Sequence, residues 1–73
     1  MIFAKIRQNY SDEIREFKTC DAANEFIRTF LHRSVSASDF QEVISEGAII
    51  EYRKSISKGK KRSVILSKDS RFD

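Results

Sequence analysis

The sequence predicts a small α+β domain in which two helices cover one face of an antiparallel sheet. Three observations predict it: strand-like alternation in the first residues, helical periodicity in the middle, and two further strand-like runs joined by a hairpin-length connection. The predicted order is β-β-α-α-β-β. With 73 residues and no proline, the chain has room for one core. We therefore expect a single domain over residues 1–73, with 68–73 as a frayed C-terminal tail.

The first two elements are predicted to form a β-hairpin. Apolar residues occupy every second position of the segment 2–8, the period of a strand with one buried face. Residues 9–12 are polar or turn-forming, and the short segment 14–18 tolerates the β conformation. A second strand packed beside the first is the simplest continuation.

The middle of the chain has helical periodicity. One apolar stripe comprises Ala22, Ala23, Phe26, Ile27, Phe30 and Leu31. Thr19 or Asp21 is suited to cap the start of this helix. Ser38, with Gln41 three residues later, predicts a capping box for a second, short helix that Gly47 ends.

Two further strands are predicted over 48–56 and 62–67, joined by a polar connection in which Gly59 is free to adopt a positive φ. The residues expected to be central to the core are Phe26, Phe30, Phe40, Ile44 and Ile6. The sheet face opposite the helices is expected to be exposed, polar and partly basic.

Charge is unevenly distributed along the chain. Residues 1–52 carry six basic and nine acidic side chains, whereas residues 53–73 carry eight basic and two acidic ones. The C-terminal part therefore carries a formal charge of +6, against +3 for the whole chain. Such a field attracts polyanions or acidic protein surfaces.

The sequence offers no basis for catalysis or for a bound cofactor. His32 is the sole histidine and is expected to be structural or solvated, and Cys20 is the sole cysteine, so neither a disulfide nor a cysteine-based zinc site is expected. The carboxylates lack the spacing of a calcium loop. We expect a protein that is not an enzyme and binds no metal or cofactor. No apolar stretch suits a membrane span, and we expect a cytoplasmic protein without a membrane partner.

One set of residues points to a binding function. Six cations surround the predicted C-terminal hairpin, with Tyr52 beside them: Arg53, Lys54, Lys58, Lys60, Lys61 and Arg62. A two-stranded ribbon fits the major groove, and its Lys and Arg side chains replace condensed counterions. The leading hypothesis is a binding module that engages nucleic-acid phosphates through this hairpin, with help from Lys5 and Arg7. Tyr10 and Phe72 are conceivable stacking residues.

An alternative comes from a different class. Small single-domain proteins without catalytic residues often act as inhibitors or adaptors, including those of phages and mobile elements such as anti-CRISPR proteins. The same hairpin could then occupy an acidic or nucleic-acid-binding surface of a partner protein. A homodimer formed through an unpaired sheet edge is compatible with either hypothesis.

Overall fold

A computed structural model describes residues 1–9 and 11–72 and confirms the α+β fold with the predicted order of elements. Four antiparallel strands form one sheet in the order β2-β1-β4-β3. The elements are β1 (Ile2–Gln8), β2 (Ser11–Phe17), α1 (Cys20–Leu31), α2 (Ala37–Glu46), β3 (Ile50–Ser57) and β4 (Lys60–Ser67).

The two central strands come from opposite ends of the chain. In the β1–β4 pair, Ala4 lies opposite Leu66, Ile6 opposite Val64, and Gln8 opposite residue 62. Because all neighbouring strands are antiparallel, the β1–β2 turn and the β3–β4 turn lie at the same end of the sheet. We call this end the tip, and the opposite end, where β1 begins and β4 ends, the base.

Helix α1 begins as the sequence predicts. Thr19 is its N-cap, and the Thr19 Oγ1 accepts a hydrogen bond from the Ala22 N–H at 3.1 Å. The helix ends at His32, which has a left-handed conformation with φ of 55°. A histidine in this role is not predictable from the local pattern, because helices more often end this way at glycine or asparagine.

Helix α2 begins earlier than predicted, and the capping box at Ser38 is wrong. The N-cap is Ser36, whose Oγ accepts a hydrogen bond from the Asp39 N–H at 3.1 Å. Ser36 lies two residues before the predicted cap and is followed three positions later by the acidic Asp39. Gly47 ends the helix as predicted, with φ of 71°.

The core differs in part from the prediction. Ile6 and Phe40 are buried as expected, whereas Phe26 and Phe30 are only half-buried. The prediction that Ile44 belongs to the core is wrong, because this side chain is 46% exposed. The completely buried face of α1 is Ala23, Ile27 and Leu31, which follow each other at four-residue spacing.

The phenylalanines of the predicted α1 stripe lie at the margin of this face. Phe26 and Phe30 stack with ring centroids 5.4 Å apart, and Phe17 of β2 lies 5.6 Å from Phe26. The predicted stripe is therefore confirmed except at Ala22, which is exposed. Its buried centre is Ala23, Ile27 and Leu31 instead of the phenylalanines.

Residues 68–72 contain no helix or strand, yet they are hydrogen-bonded to the end of β4. The Ser67 Oγ donates to the Arg71 carbonyl at 3.0 Å and accepts from the Asp69 N–H at 3.3 Å. Phe72 is half-buried, and Asp73 lies outside the described residues. The expected tail thus begins with a turn at the base of the sheet.

Truncation of the buried face of α1 tests this placement of the core. Ile27→Ala is expected to lower the free energy of unfolding by about 2–5 kcal/mol, because it leaves a cavity under the helix. In a domain whose total stability is about 3–5 kcal/mol, that loss largely unfolds the chain. The matched Ile44→Ala is expected to cost less than about 1 kcal/mol, because the side chain is exposed. Urea unfolding followed by circular dichroism measures both; an equal loss in the two variants would contradict the assigned core.

Candidate nucleic-acid interface

The basic hairpin is built by β3 and β4 and turns at Lys58 and Gly59. Gly59 has φ of 78°, as the sequence predicts. Apart from its chain neighbours, no described residue has an atom within 4 Å of the position that a Cβ would take. A register shift between Ser55 and Ser57 interrupts the ladder just before the turn. The intervening Ile56 is 47% exposed.

Three lysines lie at the end of the hairpin, one in the turn and two at the start of β4. We call Lys58, Lys60 and Lys61 the tip lysines; all three are exposed. Four ion pairs occur among the described residues, and none includes a tip lysine. Their charges are therefore not offset by a carboxylate in direct contact within residues 1–9 and 11–72.

Lys54 and Arg62 lie opposite each other on the helix-covered side of the hairpin, and both are half-buried. Arg62 is bound to α1. Its Nη1 donates to the Phe30 carbonyl at 3.2 Å, and its guanidinium lies 5.0 Å from the centroid of the Phe30 ring. This cation satisfies a carbonyl in the last turn of the helix. Arg62 thus holds the hairpin against α1 instead of projecting from the tip.

The other predicted cations, Lys5, Arg7 and Arg53, lie on the sheet face that no helix covers. Arg7 lies opposite Asp12 in the β1–β2 register, and Arg53 is two residues from Glu51 on the same face of β3. Asp12 lies 3.5 Å from the Arg7 Nε and 4.0 Å from the Lys5 Nζ, and Glu51 lies 2.9 Å from the Arg53 Nη2. The hydrogen bond from Arg53 lowers the pKa of the Glu51 carboxyl. Lys5, Arg7 and Arg53 each have a carboxylate partner, unlike the tip lysines.

Tyr52 is placed differently from the expectation. It is only 5% exposed and lies in the core instead of beside the tip lysines. Its hydroxyl donates to the Asp39 Oδ2 at 2.5 Å, and the Arg33 guanidinium lies 4.9 Å from the ring centroid. Since Tyr52 is on the same strand face as Ile50, even spacing along β3 could have identified it as a core residue. It joins β3 to α2 and offers no free ring to a ligand.

The two hairpin turns enclose a hollow at the tip. Its volume is about 270 Å³, and it is lined by Asn9, Gly59, Lys60 and Lys61. Asn9 has a left-handed conformation with φ of 58°. From the sequence, Asn9 is predicted only as a turn residue. Its neighbour in the hollow, Gly59, is fifty residues away in the chain, so local patterns do not connect the two. Tyr10, predicted as a stacking residue, lies outside the described residues.

Other chemistry is sparse in the described part of the chain. Within residues 1–9 and 11–72, no group of three or more His, Cys, Asp or Glu side chains could hold a metal ion. No described helix is long and apolar enough to cross a membrane. Cys20 is a free, half-buried thiol at one side of a groove of about 300 Å³ between α1 and α2.

Comparison of the chain with known protein families, with curated proteins and with solved structures finds no match. The geometry of the tip therefore carries the functional argument by itself.

The buried phenol of Tyr52 gives a testable pH dependence. Burial, and then the hydrogen bond and negative charge of Asp39, raise the pKa of the Tyr52 hydroxyl far above its ordinary value of about 10. Because the folded-state pKa exceeds the unfolded one, this stabilisation is complete below pH 10 and is lost as the pH rises above it.

We expect the Tyr10→Phe variant, in which Tyr52 is the remaining tyrosine, to show phenolate absorbance only as it unfolds in alkali. Adding Tyr52→Phe should flatten the fall in unfolding free energy above about pH 10. Ionisation of Tyr52 near pH 10 in the folded protein would contradict its buried hydrogen bond.

The contact of Arg62 with α1 predicts a difference between neighbouring cations. Arg62→Ala is expected to lower the free energy of unfolding by about 1–3 kcal/mol, through loss of a charged hydrogen bond and a cation–π contact. Lys61→Ala removes the same charge from an exposed position and should change the free energy of unfolding by less than about 0.5 kcal/mol. Denaturant unfolding of both variants measures the difference, and equal stabilities would refute the structural role of Arg62.

Proposed function

We propose that this protein is a non-enzymatic module that binds nucleic acid through phosphate contacts made by the tip lysines. One observation carries the proposal: all three cations at the extremity of the hairpin are exposed, and none has a carboxylate partner among the described residues. Unpaired ammonium groups retain their full attraction for phosphates and release condensed counterions when they bind them.

The shape of the protein supports the same function. The molecule measures 36 × 23 × 17 Å, and the tip is formed by paired strands without a covering helix beyond Arg62. A two-stranded ribbon has a width that the major groove of a duplex admits. Lys5, Arg7 and Arg53 would contribute less, since a phosphate must first displace Asp12 or Glu51 from them. Exposed ion pairs are weak, so this exchange costs little.

The aromatic residues favour backbone contacts over base stacking. Every aromatic side chain within residues 1–9 and 11–72 is buried or half-buried. Proteins that bind single strands by stacking present exposed aromatic rings to successive bases. The described surface therefore suits phosphate contacts, which carry no sequence information of their own.

A second candidate function is supported by Ile56. This side chain is 47% exposed within the basic hairpin, where a purely phosphate-binding surface has no use for it. An exposed apolar residue among cations suits an acidic protein surface with a small apolar depression. The alternative is thus an inhibitor or adaptor that docks the hairpin on a partner protein.

In this proposal the protein acts in the cytoplasm, where the free thiol of Cys20 stays reduced. Strands β2 and β3 are the edges of the sheet, so pairing of two copies along either edge is compatible with both candidate functions. Light scattering distinguishes a monomer of 8.5 kDa from a dimer of twice that mass.

Fluorescence anisotropy with a labelled DNA duplex, over a range of salt concentrations, tests the proposed function. The variant with Lys58, Lys60 and Lys61 all replaced by alanine should bind much more weakly. Its log–log salt slope should be shallower by about 2.7, from about 0.9 per lost phosphate contact. Arg62 is left intact, because its loss would destabilise the fold.

The matched control replaces Lys18, Lys68 and Arg71 by alanine. These three side chains are exposed, and they lie at the base, so the control removes the same charge from the opposite end. It should bind nearly as well as the wild type. Equal weakening in both triple variants would show attraction by net charge alone and would contradict an interface at the tip. Absence of binding by the wild type at low salt, together with a stoichiometric complex with a partner protein that Ile56→Ser abolishes, would favour the second candidate.

A further inference from the structure

The hollow at the tip is formed by two segments that are distant in the chain. Pairing of β1 with β4 places the residue after Gln8 beside the residue before Arg62. Asn9 therefore faces the turn that carries Gly59, Lys60 and Lys61, and together they line about 270 Å³. This volume lies just below the range of about 300–1,000 Å³ that is usual for sites of drug-sized ligands. It suits a small group.

The lining of the hollow is rich in hydrogen-bond donors of positive charge. Lys60, Lys61 and Asn9 are among its lining residues. A lysine ammonium has three donors, and an asparagine carboxamide has two N–H groups. Among residues 1–9 and 11–72 no carboxylate lines the hollow, and no described ion pair occupies either lysine. Gly59 contributes no side chain to the hollow, so it takes up none of the space between the described lining residues.

We propose that this hollow is a binding site for a single phosphate group, with Lys60, Lys61 and Asn9 as its ligands. The inference rests on the proposed function and deepens it. In the proposed function the tip lysines contact several phosphates without distinction, whereas here one phosphate binds at a defined place. A tetrahedral anion with several acceptor oxygens can accept from all three side chains, and charge-assisted hydrogen bonds of this kind are the strong ones.

Two sources supply this chemistry in a nucleic acid. An internal phosphodiester carries one negative charge, whereas a terminal phosphate monoester carries about 1.5 to 2 at pH 7. Because the hollow lies at the extremity of the hairpin, the end of a strand can enter it as well as a backbone phosphate.

The first arm of the test is NMR of the whole chain titrated with inorganic phosphate, with chloride at equal ionic strength as the reference. We expect saturable shifts of the amide signals of Asn9, Gly59, Lys60 and Lys61 with phosphate, and none with chloride. Asn9→Asp should abolish them, because it replaces a donor by a negative acceptor. Asn9→Gly should weaken them without adding charge. Both replacements tolerate the left-handed conformation, so the turn is retained.

The second arm measures anisotropy with one oligonucleotide that bears either a 5′-phosphate or a 5′-hydroxyl group. Tighter binding of the phosphorylated form by about tenfold, the size of one charge-assisted hydrogen bond, identifies a terminal phosphate as the ligand. Equal affinity for the two forms, with both weakened by Asn9→Gly, identifies an internal phosphate.

Absence of phosphate-specific shifts, together with unchanged oligonucleotide affinity in Asn9→Gly, would overturn the site. If the alanine variant of all three tip lysines still loses affinity in that case, the proposed function stands without the hollow. If the wild-type protein binds no nucleic acid at all, the proposed function fails as well, so the two failures are distinguishable.

Discussion

The pairing of β1 with β4 is the constraint on which the rest of this structure depends. It joins the first strand of the chain to the last, and it buries Ile6 and Val64 side by side beneath the helices. Because the sheet is antiparallel throughout, this single pairing brings both hairpin turns to one end. It also leaves β2 and β3 as edges and sends residues 68–72 to the opposite end. The position of the basic segment relative to Asn9 is thus a consequence of strand order.

The same sheet divides the cations by environment. On the open face, cross-strand neighbours pair Lys5 and Arg7 with Asp12, and the i, i+2 spacing in β3 pairs Arg53 with Glu51. Arg62 and Arg33 are occupied with aromatic rings of the folded domain. The tip lysines have neither kind of partner among the described residues. Within the segment 53–73, which carries the charge of +6, Arg53 and Arg62 have partners in the fold, whereas the tip lysines are available to a ligand.

Local patterns predicted the elements well, because strand alternation, helical spacing and the Thr19 and Gly47 caps are all encoded within a few residues. What they could not predict depends on how the elements meet. One example is the exposure of Ile44, since the domain buries Phe40 and Val43 as the inner face of α2.

The candidate site shows the same division. The sequence identifies the basic hairpin, but the burial of Tyr52 and the contact of Arg62 with α1 require tertiary packing. The hollow requires the β1–β4 register as well.

The most direct test of the account is an amide NMR map of the wild-type protein bound to a short DNA duplex. We expect the largest perturbations at Asn9 and residues 54–62, with smaller ones at Lys5, Arg7 and Arg53. Perturbations centred on the helices or the base, or none at saturating DNA, would contradict it.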